Sequence, residues 1–182
     1  MKVIFVRHGE TLENRDNILQ GQRHGTLSEL GIMQAKAISE TLKEMRIDII
    51  YSSDLNRALD TAKEIAKYHA SPLIPLKDLR ERDIGVFAGM KREEVPKLDE
   101  YKQLGMRPPG GETIEEVYAR LERFKNMLME RHNNASTILV VGHGTMGRVF
   151  NLVFSGKGIS EIQSTSHLEN TEINSFELST NL

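Results

Sequence analysis

Three short segments of this sequence carry the residue types that handle phosphate: Arg7-His8-Gly9-Glu10-Thr11, Ser52-Ser53-Asp54-Leu55-Asn56-Arg57 and Gly142-His143-Gly144-Thr145. An arginine offers planar, paired donors that match phosphate oxygens, and each charge-assisted bond contributes roughly 1.5–3 kcal/mol. Glycines beside both histidines let backbone N–H groups approach an anion closely. A neutral, oriented histidine can attack phosphorus, and a second can stabilise the charge that moves. A phosphate monoester or similar oxyanion is the ligand that suits this set. Its leaving oxygen needs a proton donor, which Leu79-Arg80-Glu81-Arg82 can supply, although residue type alone leaves Glu81, Glu10 and Asp83 all eligible. No Gly-x-x-x-x-Gly-Lys-Ser/Thr run and no dinucleotide fingerprint is present.

Each of the three segments follows a short apolar run. Lys2 to Val6 and Thr137 to Val141 read as buried strands, and Ile47 to Tyr51 reads as a third. Ser71 to Leu76 holds two prolines and belongs at a sheet edge. Glu172 to Leu178 alternates like an exposed or edge strand. Between them lie amphipathic stretches. One is capped by Ser28 and carries Ile32, Ala35, Ile38, Leu42 and Met45; another is capped by Asp54 and carries Leu55, Ala58, Leu59, Ala62, Ile65 and Ala66. The longest spans residues 113 to 131, with Thr113 and Glu116 at capping-box spacing, and a further helix runs from Thr145 to about Phe154. Strands alternating with helices predict an α/β three-layer sandwich, with a mixed, mostly parallel sheet and helices on both faces. Ligands of such sheets bind beyond the carboxyl ends of the strands, so two histidines and two arginines should converge there. Lys77 to Gly111 is long and irregular, with a charged turn at Lys91 to Leu98, and reads as a lid or site wall.

With 182 residues, the length predicts one domain spanning 1–182 that buries roughly 70% of its unfolded surface. There is no cysteine, which excludes disulfides, thiolate metal sites and thiol nucleophiles. The net charge of −2 lacks the basic excess of a nucleic-acid binder. The opening apolar run stops at Arg7, too short for a signal peptide or a membrane span. The expectation is a soluble, cytoplasmic protein with a small-molecule phosphate ester as partner and no nucleic-acid or membrane partner.

At these residues the sequence resembles the histidine phosphatase superfamily, which includes the phosphoglycerate mutases. Arg7-His8-Gly9-Glu10-Thr11 with Asn14 is similar to its signature, and Ser52 to Ala58 to its second block. Leu79-Arg80-Glu81-Arg82 with Gly85 and Gly89 resembles the block holding the proton donor. Pro109-Gly110-Gly111-Glu112 and Val141-Gly142-His143-Gly144 complete the set in family order. The resemblance implies His8 as nucleophile through a phosphohistidine. It also implies phosphoryl contacts from Arg7, Arg57, Asn14 and His143, helped by the Gly144 N–H, and Glu81 as acid and then base. Gln20 and Gly21 fall where the family lines the substrate side. No metal or organic cofactor is implied, and a homodimer is compatible with the family.

The chain departs from the family pattern in two places. His24-Gly25-Thr26-Leu27-Ser28 stands where the family often has Asp-x-Pro-Leu-Thr. Only 18 residues separate Gly89 from Pro108, with no adjacent arginine pair, whereas the resembling mutases carry an arginine-containing insertion there. This favours a metal-independent phosphatase over a mutase or a catalytically weak phosphate-binding protein.

Ordinary roles compete for many of these residues. A histidine at a strand end is usually a satisfied polar group. His24, His69, His132 and His167 read as surface residues, and Glu81 by itself reads as part of a solvated charge cluster. Two nearby arginines would repel a zinc ion from His8 and His143. The mixed charges from Glu112 to Arg131 read as a solvated face with pairs such as Glu116–Arg120. Phe87, Met90 and Met106 could wall a pocket or pin the loop.

Overall fold

The computed structural model describes residues 1–134 and 136–179. At its centre is a sheet of five strands: β1 (Lys2–Arg7), β2 (Ile49–Ser53), β3 (Leu73–Leu76), β4 (Thr137–Gly142) and β5 (Ile173–Glu177). Their order is β3-β2-β4-β1-β5, and every pairing is parallel except that of β1 with β5. The inner strands are apolar without alternation because both faces are covered. Val3, Phe5, Ile138 and Val140 pack under α4 (Ile114–Arg131) and α5 (Gly144–Phe154). Ile4, Val6, Leu139 and Val141 pack under α2 (Glu29–Leu42) and α3 (Asn56–Ala66). A four-residue helix, α1 (Leu12–Arg15), follows β1. The edges match their sequence: β3 holds Pro75, and β5 alternates between exposed and half-buried residues.

The caps of α2 and α4 form as the sequence predicts. Ser28 Oγ accepts from Gly31 N at 3.0 Å, and Thr113 and Glu116 exchange reciprocal bonds. The cap of α3 is a correction. Leu55 is the N-cap with no side-chain bond, while the Asp54 carboxylate takes Nε and Nη2 of Arg80, each at 2.6 Å. The pair fixes the start of α3 to the segment carrying Glu81.

Two further expectations fail for packing reasons. Ile32 is 45% exposed, because the inward face of α2 is set one residue earlier. A Cβ on Gly31 would lie 1.9 Å from the carbonyl oxygen of Glu10, so the helix seats its glycine on the loop after β1. Glu116 does not pair with Arg120 but with Arg107, at 2.6 Å. Arg120 is buried and turns inward to Glu112.

Residues 77–111 are not one free loop. They fold into short 3-10 turns at Lys77–Leu79, Gly85–Phe87, Arg92–Glu94 and Glu100–Lys102. Leu79 and Arg82 are buried, and Arg82 donates to the carbonyls of Glu112 and Met106 at 2.8 Å and to that of Tyr101. The exposed part is mainly 91–107. Among the described residues no helix is long and apolar enough to cross a membrane.

Candidate active site

The three adjacent strands β2, β4 and β1 deliver the three segments to one edge of the sheet. Arg7 lies opposite Gly142 in the β1–β4 register, and His8 N donates to Gly142 O at 3.0 Å. The next residues on the two strands are then neighbours: the rings of His8 and His143 meet edge to face, with centroids 5.2 Å apart. Arg57 follows β2 on the first turn of α3.

The orientation of His8 follows from its one bond. Its Nδ1 lies 2.7 Å from the carbonyl oxygen of Gly9, an acceptor only, so Nδ1 carries the proton and Nε2 keeps its lone pair. Burial, reinforced by the charges of Arg57 and Arg7, holds the imidazole well below its ordinary pKa. His8 is therefore neutral near pH 7, the form a nucleophile requires. His143 is fully buried, and neither ring nitrogen has a protein partner. Burial and then the charge of Arg57, with smaller contributions from His8, Arg120 and Arg7, lower its pKa as well.

Both arginines are spent partly on the backbone. Arg57 donates Nη2 to Gly21 O at 2.8 Å and Nη1 to His24 O at 3.1 Å and to Arg23 O, bracing the loop at 21–24. Burial lowers its pKa to about 10, which leaves it charged. Arg7 donates Nη1 to Leu168 O. Each arginine keeps a buried Nε without a protein partner.

The Glu81 carboxylate sits at the start of α5. Oε1 accepts from Arg82 N and Met146 N, both at 2.8 Å, and Oε2 accepts from Thr145 N at 3.0 Å. Glu10, by contrast, accepts from Ser28 Oγ at 2.7 Å and supports the cap of α2, while Asp83 accepts from Gly85 N. Asn14 closes a capping box with Thr11, and Gln20 donates to Thr11 Oγ1 at 2.9 Å. Gly21 takes a φ of +50° with Ile84 against it, so a side chain there would strain the backbone and collide.

Arg7, His8, Asn14, Gln20, Gly21, Arg57, Glu81 and Gly144 all line one cavity of about 140 Å³; His143 is not in its lining but its ring abuts that of His8. A neighbouring cavity of about 450 Å³ shares Leu19, Ile84, Arg92 and Thr145 with it and adds Phe87, Leu98 and Tyr101. Phe87 does both things the sequence left open: it is buried edge-on to Tyr101, and it walls this second cavity. Among the described residues, no three His, Cys, Asp or Glu side chains are grouped as metal ligands would be.

A sequence model of the histidine phosphatase superfamily (branch 1) matches residues 3–181. The chain belongs to the histidine phosphatase superfamily. A metal-independent phosphoserine phosphatase of Arabidopsis thaliana is 34% identical over 95% of this chain and 74% of its own length. A 2,3-bisphosphoglycerate-dependent phosphoglycerate mutase of Bartonella bacilliformis is 30% identical over 88% of this chain and 84% of its own. The solved structure of Bacillus stearothermophilus YhfR superposes with a TM-score of 0.89 at 25% identity, covering 98% of this chain and 91% of that one. The superfamily joins phosphatases and mutases on one α/β fold, the fold described above.

Three site residues were not legible in the sequence. His167 is not a plain surface histidine; its Nε2 lies 3.2 Å from Arg7 Nη1 and it lines both cavities. Arg120 donates Nη1 to Asp78 O at 2.7 Å and Nη2 to Glu81 O at 3.2 Å, and it reaches both carboxylate oxygens of Glu112 at 3.3 Å. Asn170 donates Nδ2 to His8 O at 2.8 Å. Arg120 had a signal, an arginine on the apolar stripe at Val117, Leu121 and Phe124. His167 and Asn170 had none, since their partners are about 160 residues away in sequence.

Proposed function

We propose that this protein hydrolyses small phosphate monoesters, without a metal, through a phosphohistidine on His8 Nε2. The observation that carries this reading is the His8 geometry: a neutral ring whose Nδ1–H is held by Gly9 O and whose Nε2 remains free, in a cavity shared with two guanidinium groups. In the first step the Nε2 lone pair attacks phosphorus and the bond to the ester oxygen breaks. The imidazolium charge that forms is supported by the Nδ1–H bond to Gly9. Nε of Arg7 and Arg57, the His143 ring, the Asn14 amide and the Gly144 N–H surround the phosphoryl oxygens.

Glu81 passes a proton to the leaving alkoxide. Oε1 already holds two backbone donors and Oε2 only one, so Oε2 is the oxygen with room for that proton. In the second step the Glu81 carboxylate takes a proton from water. The water oxygen attacks phosphorus, the N–P bond breaks, and neutral His8 returns with inorganic phosphate. The alcohol portion of the ester occupies the larger cavity beside Phe87 and Tyr101. A cation would be opposed by Arg7 and Arg57, which supports chemistry without one.

The test is nitrophenyl phosphate hydrolysis in excess EDTA, combined with quenching of a radiolabelled ester at neutral pH. Activity that survives chelation, falls by about 10³-fold or more in His8→Ala, and leaves label on the wild-type protein is the expected result. Loss of activity on chelation, or no label during turnover, overturns it. Phosphoryl return between positions of a phosphoglycerate is the second reading, carried by the mutase relative. The short 90–107 stretch favours release to water.

A further inference from the structure

Residues 167–172 close on the nucleophile segment from the far end of the chain. Leu168 O accepts from Arg7 Nη1, Thr171 N donates to Arg7 O at 3.0 Å, and Arg7 N donates to Glu172 O at 3.3 Å. At the head of this stretch His167 is exposed at the cavity mouth, with Nε2 at 3.2 Å from Arg7 Nη1. A guanidinium can only donate. Nε2 is therefore the acceptor and the His167 proton is on Nδ1, which makes the ring a brace that sets the Arg7 fork.

We infer that His167 is an anion-binding and positioning residue: neutral, it orients Arg7, and protonated, it turns an N–H toward the bound phosphoryl group, so that phosphate binding takes up a proton. The inference rests on reading the smaller cavity as the phosphate site. A protonated Nε2 cannot accept from Arg7, so the pair must part when the ring gains its proton. The vacated direction is the cavity that both residues line.

The charged groups facing the ring are Arg7 from β1, Arg148 from α5, Arg92 from the exposed 91–107 stretch, and Glu169 beside it. His8, Arg57 and Glu81 share the same cavity. Burial, with the charges of Arg7, Arg148 and Arg92, lowers the His167 pKa in the free protein, and Glu169 opposes this. A dianion among these groups reverses the balance of charge and favours the protonated ring.

The experiment compares wild type, His167→Gln and His167→Ala from pH 5.5 to 8, reading the inhibition constant of inorganic phosphate together with kcat and KM for nitrophenyl phosphate. Glutamine keeps an acceptor oxygen for Arg7 but gains no proton, and alanine loses both functions. Dividing each variant's constant by the wild-type value at the same pH cancels the ionisation of phosphate itself. The expected result is a Gln-to-wild-type ratio that climbs to about tenfold as pH falls to 5.5. At pH 8, Gln should recover most of what Ala loses.

A proton NMR titration of the His167 ring with and without inorganic phosphate should show its pKa rising on binding. A ratio flat with pH, or a ring pKa unmoved by phosphate, overturns the proton coupling. Equal binding by Ala and wild type overturns the role altogether. Wild type that neither binds phosphate nor hydrolyses the ester overturns the phosphatase reading, and this inference with it.

Discussion

Glu81 combines two functions that its neighbours separate. Its carboxylate accepts three backbone N–H groups, two of them from the first turn of α5, so it serves that helix as a capping group would. The same carboxylate faces the cavity with His8. Glu81→Gln removes the proton that the proposed mechanism transfers while keeping the size of the side chain. Turnover of alkyl phosphates should then fall by about 100-fold or more, while nitrophenyl phosphate, whose leaving group scarcely needs a proton, should lose much less in the phosphorylation step. Equal losses on both esters in single-turnover kinetics would remove Glu81 from the acid role. The exchange of one acceptor for an amide should also cost about 1 kcal/mol at the helix terminus, visible in urea unfolding. Glu10 and Asp83, the other carboxylates near the site by sequence, do not line that cavity, which is why the proposed acid role falls to Glu81.

Helix α4 packs against Leu79 of the segment that carries Glu81, and sends one buried arginine across to that segment's backbone. Arg120 reaches across to the carbonyls of Asp78 and Glu81 and to the Glu112 carboxylate, whose Oε2 also accepts from Asp83 N at 2.9 Å. Arg82 and the Asp54–Arg80 pair hold the same stretch from the exposed 91–107 side and from α3. The Glu81 segment is thus held by α4, by the start of α3 and by the exposed 91–107 stretch without belonging to any of them. Arg120→Ala should cost about 3 kcal/mol, because the Glu112 carboxylate loses its arginine partner and the carbonyls of Asp78 and Glu81 each lose a donor. Glu112→Gln should cost less, and a double-mutant cycle between the two should show coupling above about 1 kcal/mol. Strict additivity in denaturant unfolding would mean that the two are not energetically linked. The surface reading of residues 112–131 fails here because helical periodicity locates a stripe but not the neighbour it faces.

The whole molecule stores two neutral histidines at the end of its sheet, and its stability should register them. Both His8 and His143 are depressed well below the ordinary 6.5, so as pH falls through that value the unfolded chain binds protons that the folded chain refuses. Their contribution is intact above about pH 6.5 and is lost on acidification, with a slope approaching about 1.4 kcal/mol per pH unit for each ring. Urea unfolding at a series of pH values from 7 to 5 should show this slope, and His8→Ala should flatten it by about half; an unchanged slope in the variant would place the acid sensitivity elsewhere. By itself the sequence determined the layers, the mostly parallel sheet, the edge positions of β3 and β5, the caps at Ser28 and Thr113, and eight candidate residues that line one cavity. It could do so because strand periodicity, cap spacing and the strand-end rule are local or topological, and the motif blocks sit where those rules point. The tertiary structure alone decided that His167 and Asn170 brace Arg7 and His8, that Arg120 faces inward, that Asp54 pairs with Arg80, and which carboxylate caps α5. Those outcomes are long-range contacts, fixed by how helices rotate against the sheet and how the final strand returns beside the first, and no spacing along the chain encodes them.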